Sequence, residues 1–310
     1  MAHGVLIVDK PVGPTSHAVV SRVRAILGTR AVGHAGTLDP AASGVLVVAI
    51  GEATKLTTYL SSHPKRYRAT VRFGTATDTL DAQGRVFATE RIRDAVKAEL
   101  RCISDGGPLS GEIAAAIKAE RQRTRQVPPA FSAIKTQGVR SYDRARKGED
   151  FELAARDVSA MEIGVVGATE DSIDLSLFVS KGYYVRSLAR DLGAALGVPA
   201  HLESLRRTAS GPFTIDEAVR LSEPAERISS TLMGLGAAAK RILPAAELTD
   251  DGARRASHGQ LLDASHFVKA PAAGLSAWLT ASGDLIAVGK AIDAAHFAVE
   301  RGFGYAKAAQ

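Results

Sequence analysis

The residues best suited to chemistry lie in one loop, Gly33-His34-Ala35-Gly36-Thr37-Leu38-Asp39-Pro40-Ala41-Ala42-Ser43-Gly44. Its glycines let the backbone approach a ligand closely or take a positive φ. Pro40 removes one donor and stiffens the chain behind Asp39. A carboxylate held rigidly between two strands can act as a nucleophile or as a general base. Asp-Pro is also a common turn pair, so Asp39 can equally be there to shape the chain. His34 can stack on a base or hydrogen-bond within the loop. Tyr67 lies on the apolar face of an alternating stretch, where a tyrosine is usually core. Arg186 stands near the start of a helical pattern beside Val185 and Leu188, and a half-buried arginine there needs a carboxylate partner.

Other chemistries lack their patterns. There is no P-loop, no His-Glu-x-x-His and no Gly-x-Ser-x-Gly elbow. Gly234-Leu235-Gly236 has no third glycine, and the eight histidines are scattered without a pair at metal-ligand spacing. ATP, nicotinamide and zinc chemistry are disfavoured, and neither cofactor nor metal is expected.

The elements that must position these groups follow from periodicity. A strand is expected from Gly4 to Val8, then a turn, then a helix capped by Ser16 with Val19, Val20, Val23, Ile26 and Leu27 on one face. Gly28 should stop it. A fully apolar strand, Val45 to Ile50, follows the glycine-rich loop, and a helix is expected from about Glu52 to Leu60. Residues 65–74 alternate, with Tyr67, Ala69, Val71 and Phe73 on one face. Helices are predicted near 92–103, 111–123, 184–196, 199–206 and 224–241, and strands near 157–166 and 171–180. Pro128-Pro129 precedes an extended segment from Ala130 to Thr136, and Ser141 to Arg146 reads as a short helix. After Pro244 the texture changes to short strands with Gly and Ser turns. Helices and strands interleave without regular βαβ units, which predicts an α+β fold.

Length and composition set the frame. A chain of 310 residues suggests roughly two domains and a sizeable core. One cysteine, Cys102, rules out an internal disulfide and fits a reducing, cytoplasmic setting. No apolar run is long enough to span a bilayer and no secretory signal is evident, so no membrane is expected. The net charge of +6 is modest but uneven. Between Lys118 and Lys147 stand Arg121, Arg123, Arg125, Lys135, Arg140, Arg144 and Arg146 against Glu120 and Asp143. That segment suits a polyanion such as nucleic acid, or is simply a solvated charged face. With only 5% aromatic residues, rows of stacked bases are not expected.

Taken in order, several blocks resemble one family. Val8-Asp9-Lys10-Pro11 with Gly13 and Thr15-Ser16, then Gly33 to Pro40 with Ser43-Gly44, look like tRNA pseudouridine synthases of the TruB type. So do Lys65-Arg66-Tyr67, Asp78-Thr79-Leu80-Asp81 with Gly84, and Gln126 to Lys135. Tyr142 with Ala145-Arg146 and Gly148, Lys181 to Arg186, and Leu205-Arg206-Arg207 complete the set, which spans about residues 4–213. Departures are small: Ala41 replaces a usual leucine, Ser43 a threonine, Phe131 a tyrosine and Tyr183 a threonine.

The resemblance implies isomerisation of uridine to pseudouridine in the T arm of tRNA, at the position conventionally numbered 55, without cofactor. It implies a core of mixed, largely antiparallel sheet over residues 1–242, with a basic RNA-gripping insertion at about 118–147. A small β-rich RNA-binding domain of the PUA kind is expected over 243–310. Asp39 falls on the family's catalytic aspartate, and Arg186 would pair with it. Tyr67 would stack on the uracil and could help remove the C5 proton. Tyr184 would hydrogen-bond in the pocket and Leu205 would line it. His34 would stack on nucleotides rearranged when the base is extruded, and Lys10 belongs to the same substrate-binding set. A monomer without an obligatory protein partner is expected. An RNA chaperone with little dependence on turnover is the alternative.

Overall fold

The computed structural model describes residues 2–304 except 133, 137, 138, 148, 150 and 272, and leaves out the side chains of 135, 136, 140, 143, 145 and 146. The chain opens with β1 (Gly4–Lys10), α1 (Ser16–Leu27), β2 (Val32–His34) and β3 (Ala42–Ile50). A 3₁₀ turn over Gly51–Leu56 runs into α2 (Thr57–Ser61), followed by β4 (Lys65–Phe73), β5 (Thr75–Thr77) and β6 (Val86–Thr89). Next come α3 (Asp94–Ser104) and α4 (Gly111–Gln122). The basic segment then holds β7 (Arg125–Gln126), β8 (Lys135–Thr136), β9 (Val139–Arg140) and α5 (Ser141–Arg146), and β10 (Arg156–Asp157) follows it. Beyond it lie β11 (Ala160–Ala168), β12 (Ser172–Val179), α6 (Val185–Ala195), β13 (Ala200–Ser210) and β14 (Phe213–Thr214). Two short helices, α7 (Ala225–Ser230) and α8 (Leu235–Ile242), flank β15 (Met233–Gly234).

These strands build a nine-stranded sheet in the order β11-β12-β4-β13-β3-β1-β15, with β2 on β3 and β14 on β13. Its one parallel strand pair is β13 with β3; the rest are antiparallel, as an α+β fold requires. Burial explains the sequence texture. The Gly4–Val8 part of β1 and the Val45–Ile50 part of β3 are apolar because both faces are covered: Val5, Ile7, Val45 and Val47 enter one core, and Leu6, Val8, Leu46 and Val48 another. The β4 and β12 strands alternate because α3, α4 and α6 cover only one face, burying Ala69, Val71, Phe73, Leu175 and Leu177.

Three expectations are corrected. Residues 199–206 are not helical but begin β13, the strand that joins the two halves of the sheet. Register shifts at Leu202/Ser204 and Arg207/Ala209 break the alternation, so apolar residues recur at helix-like intervals along a bulged strand. Thr15, not Ser16, caps α1, its side chain accepting from the Ala18 N–H. The 224–241 stretch is two helices, because β15 interrupts it to pair with β1.

A six-stranded sheet forms from β16 (Ala245–Leu248), β17 (Leu262–Asp263), β18 (Phe267–Lys269), β19 (Leu275–Leu279), β20 (Leu285–Ala291) and β21 (His296–Gly302). Helix α9 (Asp250–Ser257) covers one face, where Phe267 meets Trp278 and Phe297 edge-on. The other face is not free. Ala277, Leu279, Leu285, Val288 and Phe303 share one core with Leu56, Leu60, Phe213, Ala238 and Ala239 of the larger unit. Gly236 seals the join, since a Cβ there would stand 1.9 Å from the Gly283 carbonyl oxygen. Among the described residues no helix is long and apolar enough to cross a membrane.

This shared core makes the two sheets thermodynamically dependent. A chain ended after residue 242 should unfold at clearly lower urea concentration than the whole chain, because Leu56, Leu60 and Phe213 each lose up to about 1.5–3 kcal/mol of burial. An unchanged unfolding midpoint would show that the first 242 residues stand alone.

Candidate active site

Asp39 is held from both sides. Buried Ser16 donates its Oγ hydrogen to the Leu38 carbonyl and accepts from the Leu38 N–H, both at 2.9 Å. The Gly13 N–H donates to the Pro40 carbonyl at 2.9 Å, tying the turn after β1 to the residue behind Asp39. Arg207, 1% exposed, donates to the carbonyls of Gly36, Thr37 and Val45 at 3.0, 3.3 and 2.7 Å. Gly44 is required here: its φ is +101°, and a Cβ would meet the Arg207 carbonyl oxygen at 2.2 Å. The loop therefore offers the Asp39 side chain, 39% exposed, from an immobilised backbone.

Arg186 meets that carboxylate, with Nη2 2.9 Å from Asp39 Oδ2. Its own side chain is 6% exposed and uses its remaining donors on protein: Nη1 donates to Thr79 O and Nη2 to Phe131 O, both at 2.9 Å. A second carboxylate, Asp81, stands 3.9 Å from Nε. In the sequence Asp81 belongs to a family motif, with nothing to give it a role. Backbone strain marks the spot, because Leu80 between these two partners has φ +62°, the one positive value at a non-glycine among the described residues.

Asp39, Tyr67, Tyr184, Arg186 and Leu205 line one open cleft of about 290 Å³, so five of the expected site residues are brought together. Tyr67 and Leu205 reach it from neighbouring strands, β4 and β13. Tyr184 leads into α6 and, half-buried, holds its phenol proton more tightly than in water because burial disfavours the anion. His34 lies on β2 outside the lining, with Nδ1 buried and without a hydrogen-bond partner. Burial, then the charge of Arg207, pushes its pKa down, which keeps the ring neutral. Lys10, placed by sequence among the substrate-binding residues, is instead fully buried and outside the lining. It donates to the carbonyls of Pro11 and Pro14 at 2.8 and 2.9 Å, bracing the turn that Gly13 ties to Pro40.

Sequence reasoning assigns no role to Lys65, whose Nζ donates to Ser61 O and His63 O at 2.6 and 2.5 Å under the cleft. Burial pushes both Lys10 and Lys65 down to about 8; the Asp39 charge only partly opposes this at Lys10, and Arg207 adds to it at both. Among the described residues no group of three or more His, Cys, Asp or Glu side chains is arranged to hold a metal.

A largely antiparallel sheet that sets a carboxylate, paired with a buried arginine, at the wall of an open cleft belongs with the pseudouridine synthases. The fold of a Cbf5-Nop10-Gar1 complex component matches with a TM-score of 0.72 at 26% identity, over 96% of this chain and 84% of that one. Residues 24–185 match the model of the TruB family pseudouridylate synthase N-terminal domain, and residues 186–231 match the tRNA pseudouridylate synthase B C-terminal domain. Proteins named tRNA pseudouridine synthase B are similar along most of their length. That of Thermobifida fusca is 46% identical over 277 residues, covering 86% of this chain and 88% of that protein. That of Arthrobacter sp. strain FB24 is 44% identical over 271 residues, covering 85% and 83%. The chain belongs to the TruB family of pseudouridylate synthases and is an isomerase.

The two buried lysines give the site a pH signature. Unfolded lysines keep their protons to about 10.4, whereas the folded ones release theirs near 8. Across that interval the unfolded state binds more protons, so stability climbs with pH. Urea titrations at pH 8 and 9.5 should show a stability gain in the wild type that a Lys10→Met, Lys65→Met variant lacks. Equal slopes in both would contradict the assignment.

Proposed function

We propose that the chain converts a uridine of the tRNA T arm, at position 55, to pseudouridine, with Asp39 as its catalytic carboxylate. The observation that carries this reading is Asp39 pinned 2.9 Å from buried Arg186 while still facing a cleft lined by Tyr67 and Leu205. The reaction breaks the N1–C1′ bond, turns the uracil and forms a C5–C1′ bond; the C5 proton leaves and N1 gains one, so no electron or phosphate donor is consumed. Arg186, 2.9 Å from the Asp39 carboxylate, holds it in one orientation for such work, either as nucleophile or as proton acceptor. Tyr67 is suited to stack on the uracil and Tyr184 to hydrogen-bond beside it. The target base must leave its stack, at a cost of a few kcal/mol, and His34, as a neutral ring, suits the rearranged nucleotides.

Phosphate binding falls to exposed cations. Lys118 and Arg121 on α4 are exposed, whereas Arg123 is committed to buried Glu120 at 2.6 Å. The side chains of Lys135, Arg140 and Arg146 lie outside the described residues. The six-stranded C-terminal unit suits a second RNA-binding surface of the PUA kind. The enzyme is expected to work as a monomer in the cytoplasm, without a protein partner.

Tritium release from tRNA transcripts labelled at uracil C5 tests the core of this reading. Wild type should release label and Asp39→Asn should not, with tRNA affinity changed no more than a few-fold. Near-normal turnover by Asp39→Asn would remove it from the mechanism, and binding without release by wild type would favour an RNA chaperone. Lys118→Ala with Arg121→Ala should weaken tRNA binding and flatten its dependence on salt, by about one unit of log–log slope for each phosphate no longer neutralised. Unchanged slope would exclude these cations from the interface.

A further inference from the structure

We infer that Gln126 is a positioning residue for the isomerisation, clamping the peptide of Tyr184 so that α6 delivers Arg186 to Asp39. The inference rests on the function proposed above. Gln126 is 2% exposed, at the end of the short strand β7 where the basic segment begins. Its Oε1 accepts from the Tyr184 N–H at 2.9 Å, and its Nε2 donates to the Tyr184 carbonyl at 3.1 Å. A primary amide is one of the few side chains that can do both at once.

Tyr184 is the N-cap residue of α6, and no side chain of its own caps the helix. Its peptide is therefore where the helix's rotation about its axis is set. Arg186 lies within the first turn, and each residue of rotation moves a side chain by about 100° around the helix. A small slip at Tyr184 would carry the guanidinium away from Asp39 and from the Thr79 and Phe131 carbonyls together.

The rest of this limb acts in the same sense. The Val127 carbonyl accepts from Ser187 Oγ at 2.9 Å and from Arg190 Nη2 at 3.1 Å. Arg123 bridges Glu120, at 2.6 Å, and Asp191, at 3.8 Å. Tyr183 Oη donates to Glu120 at 3.5 Å. Residues 120–131 are thus stitched to residues 183–191, and Gln126 holds the stitch at the residue where α6 starts. A segment that grips RNA here is mechanically joined to the catalytic pair.

Single-turnover tritium release and tRNA affinity, measured on wild type, Asp39→Asn, Gln126→Met and Gln126→Glu, test the clamp. Methionine keeps the volume and loses both hydrogen bonds. We expect its rate at saturating enzyme to fall by about 10- to 100-fold, the scale of a misplaced catalytic group, with tRNA affinity within about threefold of wild type. A protonated glutamate can accept from one Tyr184 group and donate to the other, whereas its anion only accepts. The Gln126→Glu rate, relative to wild type at each pH, should therefore recover as pH falls from 8 to 5.5, and the Gln126→Met ratio should not. A Gln126→Met rate within twofold of wild type would overturn the proposal, as would a Gln126→Glu ratio that does not change with pH. Should Gln126→Met fail to fold, the Gln126→Glu profile decides alone. Failure of wild type to release label would instead strike at the proposed function.

Discussion

Arg186 carries a full charge into a place with almost no water, its side chain 6% exposed, and the surrounding structure is organised by that fact. Leaving a buried guanidinium unpaired would cost several kcal/mol. Here it is met by Asp39 from the loop before β3, by Asp81 and the Thr79 carbonyl from the turn after β5, and by the Phe131 carbonyl from the basic segment. Three separate stretches of chain must arrive for the charge to be satisfied. The site is thereby assembled as one unit, and of its two carboxylates Asp39, 39% exposed against 10% for Asp81, is the one open to the cleft.

Nearby cations obey a different rule. Arg207, Lys65 and Lys10 are all buried, yet each hydrogen-bonds to backbone carbonyls instead of pairing closely with a carboxylate. Carbonyl dipoles satisfy the donors without neutralising the charge, so the desolvation cost stays visible as lowered pKa values at both lysines. What this gains is geometry. Arg207 fixes the loop carrying Asp39, Lys10 fixes the turn that touches Pro40, and Lys65 fixes the floor.

Much of this was legible in the sequence, and the exceptions have physical causes. Alternation in β4 correctly predicted one buried face, and the apolar strands expected over Gly4–Val8 and Val45–Ile50 are there, their texture set by the layers that cover both faces. The 199–206 stretch misled because bulges destroy the period on which such reading depends. Asp39, Tyr67, Tyr184, Arg186 and Leu205 were found by resemblance to ordered motifs, and they do converge on one cleft. The roles of Asp81, Arg207 and Gln126 were not legible even though all three stand inside those motifs. Each role depends on a carbonyl, N–H or charge supplied by a distant segment, and spacing along a chain carries no trace of such a partner. Lys10, expected from its motif to bind substrate, also braces the turn after β1, a role that spacing does not reveal.

The division of cations into buried and exposed also bears on how a modest net charge of +6 serves an RNA enzyme. Buried cations hold loops and release no counterions when RNA arrives, so they add nothing to the salt-dependent part of binding. In the proposed function that part comes from exposed side chains, and Lys118, Arg121 and Lys181 are exposed. Lys181 stands in the same short run as Tyr184 and Arg186 and reaches the cleft lining. An exposed cation and the arginine paired with Asp39 thus lie on one short segment, which Gln126 grips from the basic segment. The outer and inner side chains of that segment share a backbone but not their partners, the outer one facing solvent and the inner one Asp39 and two carbonyls.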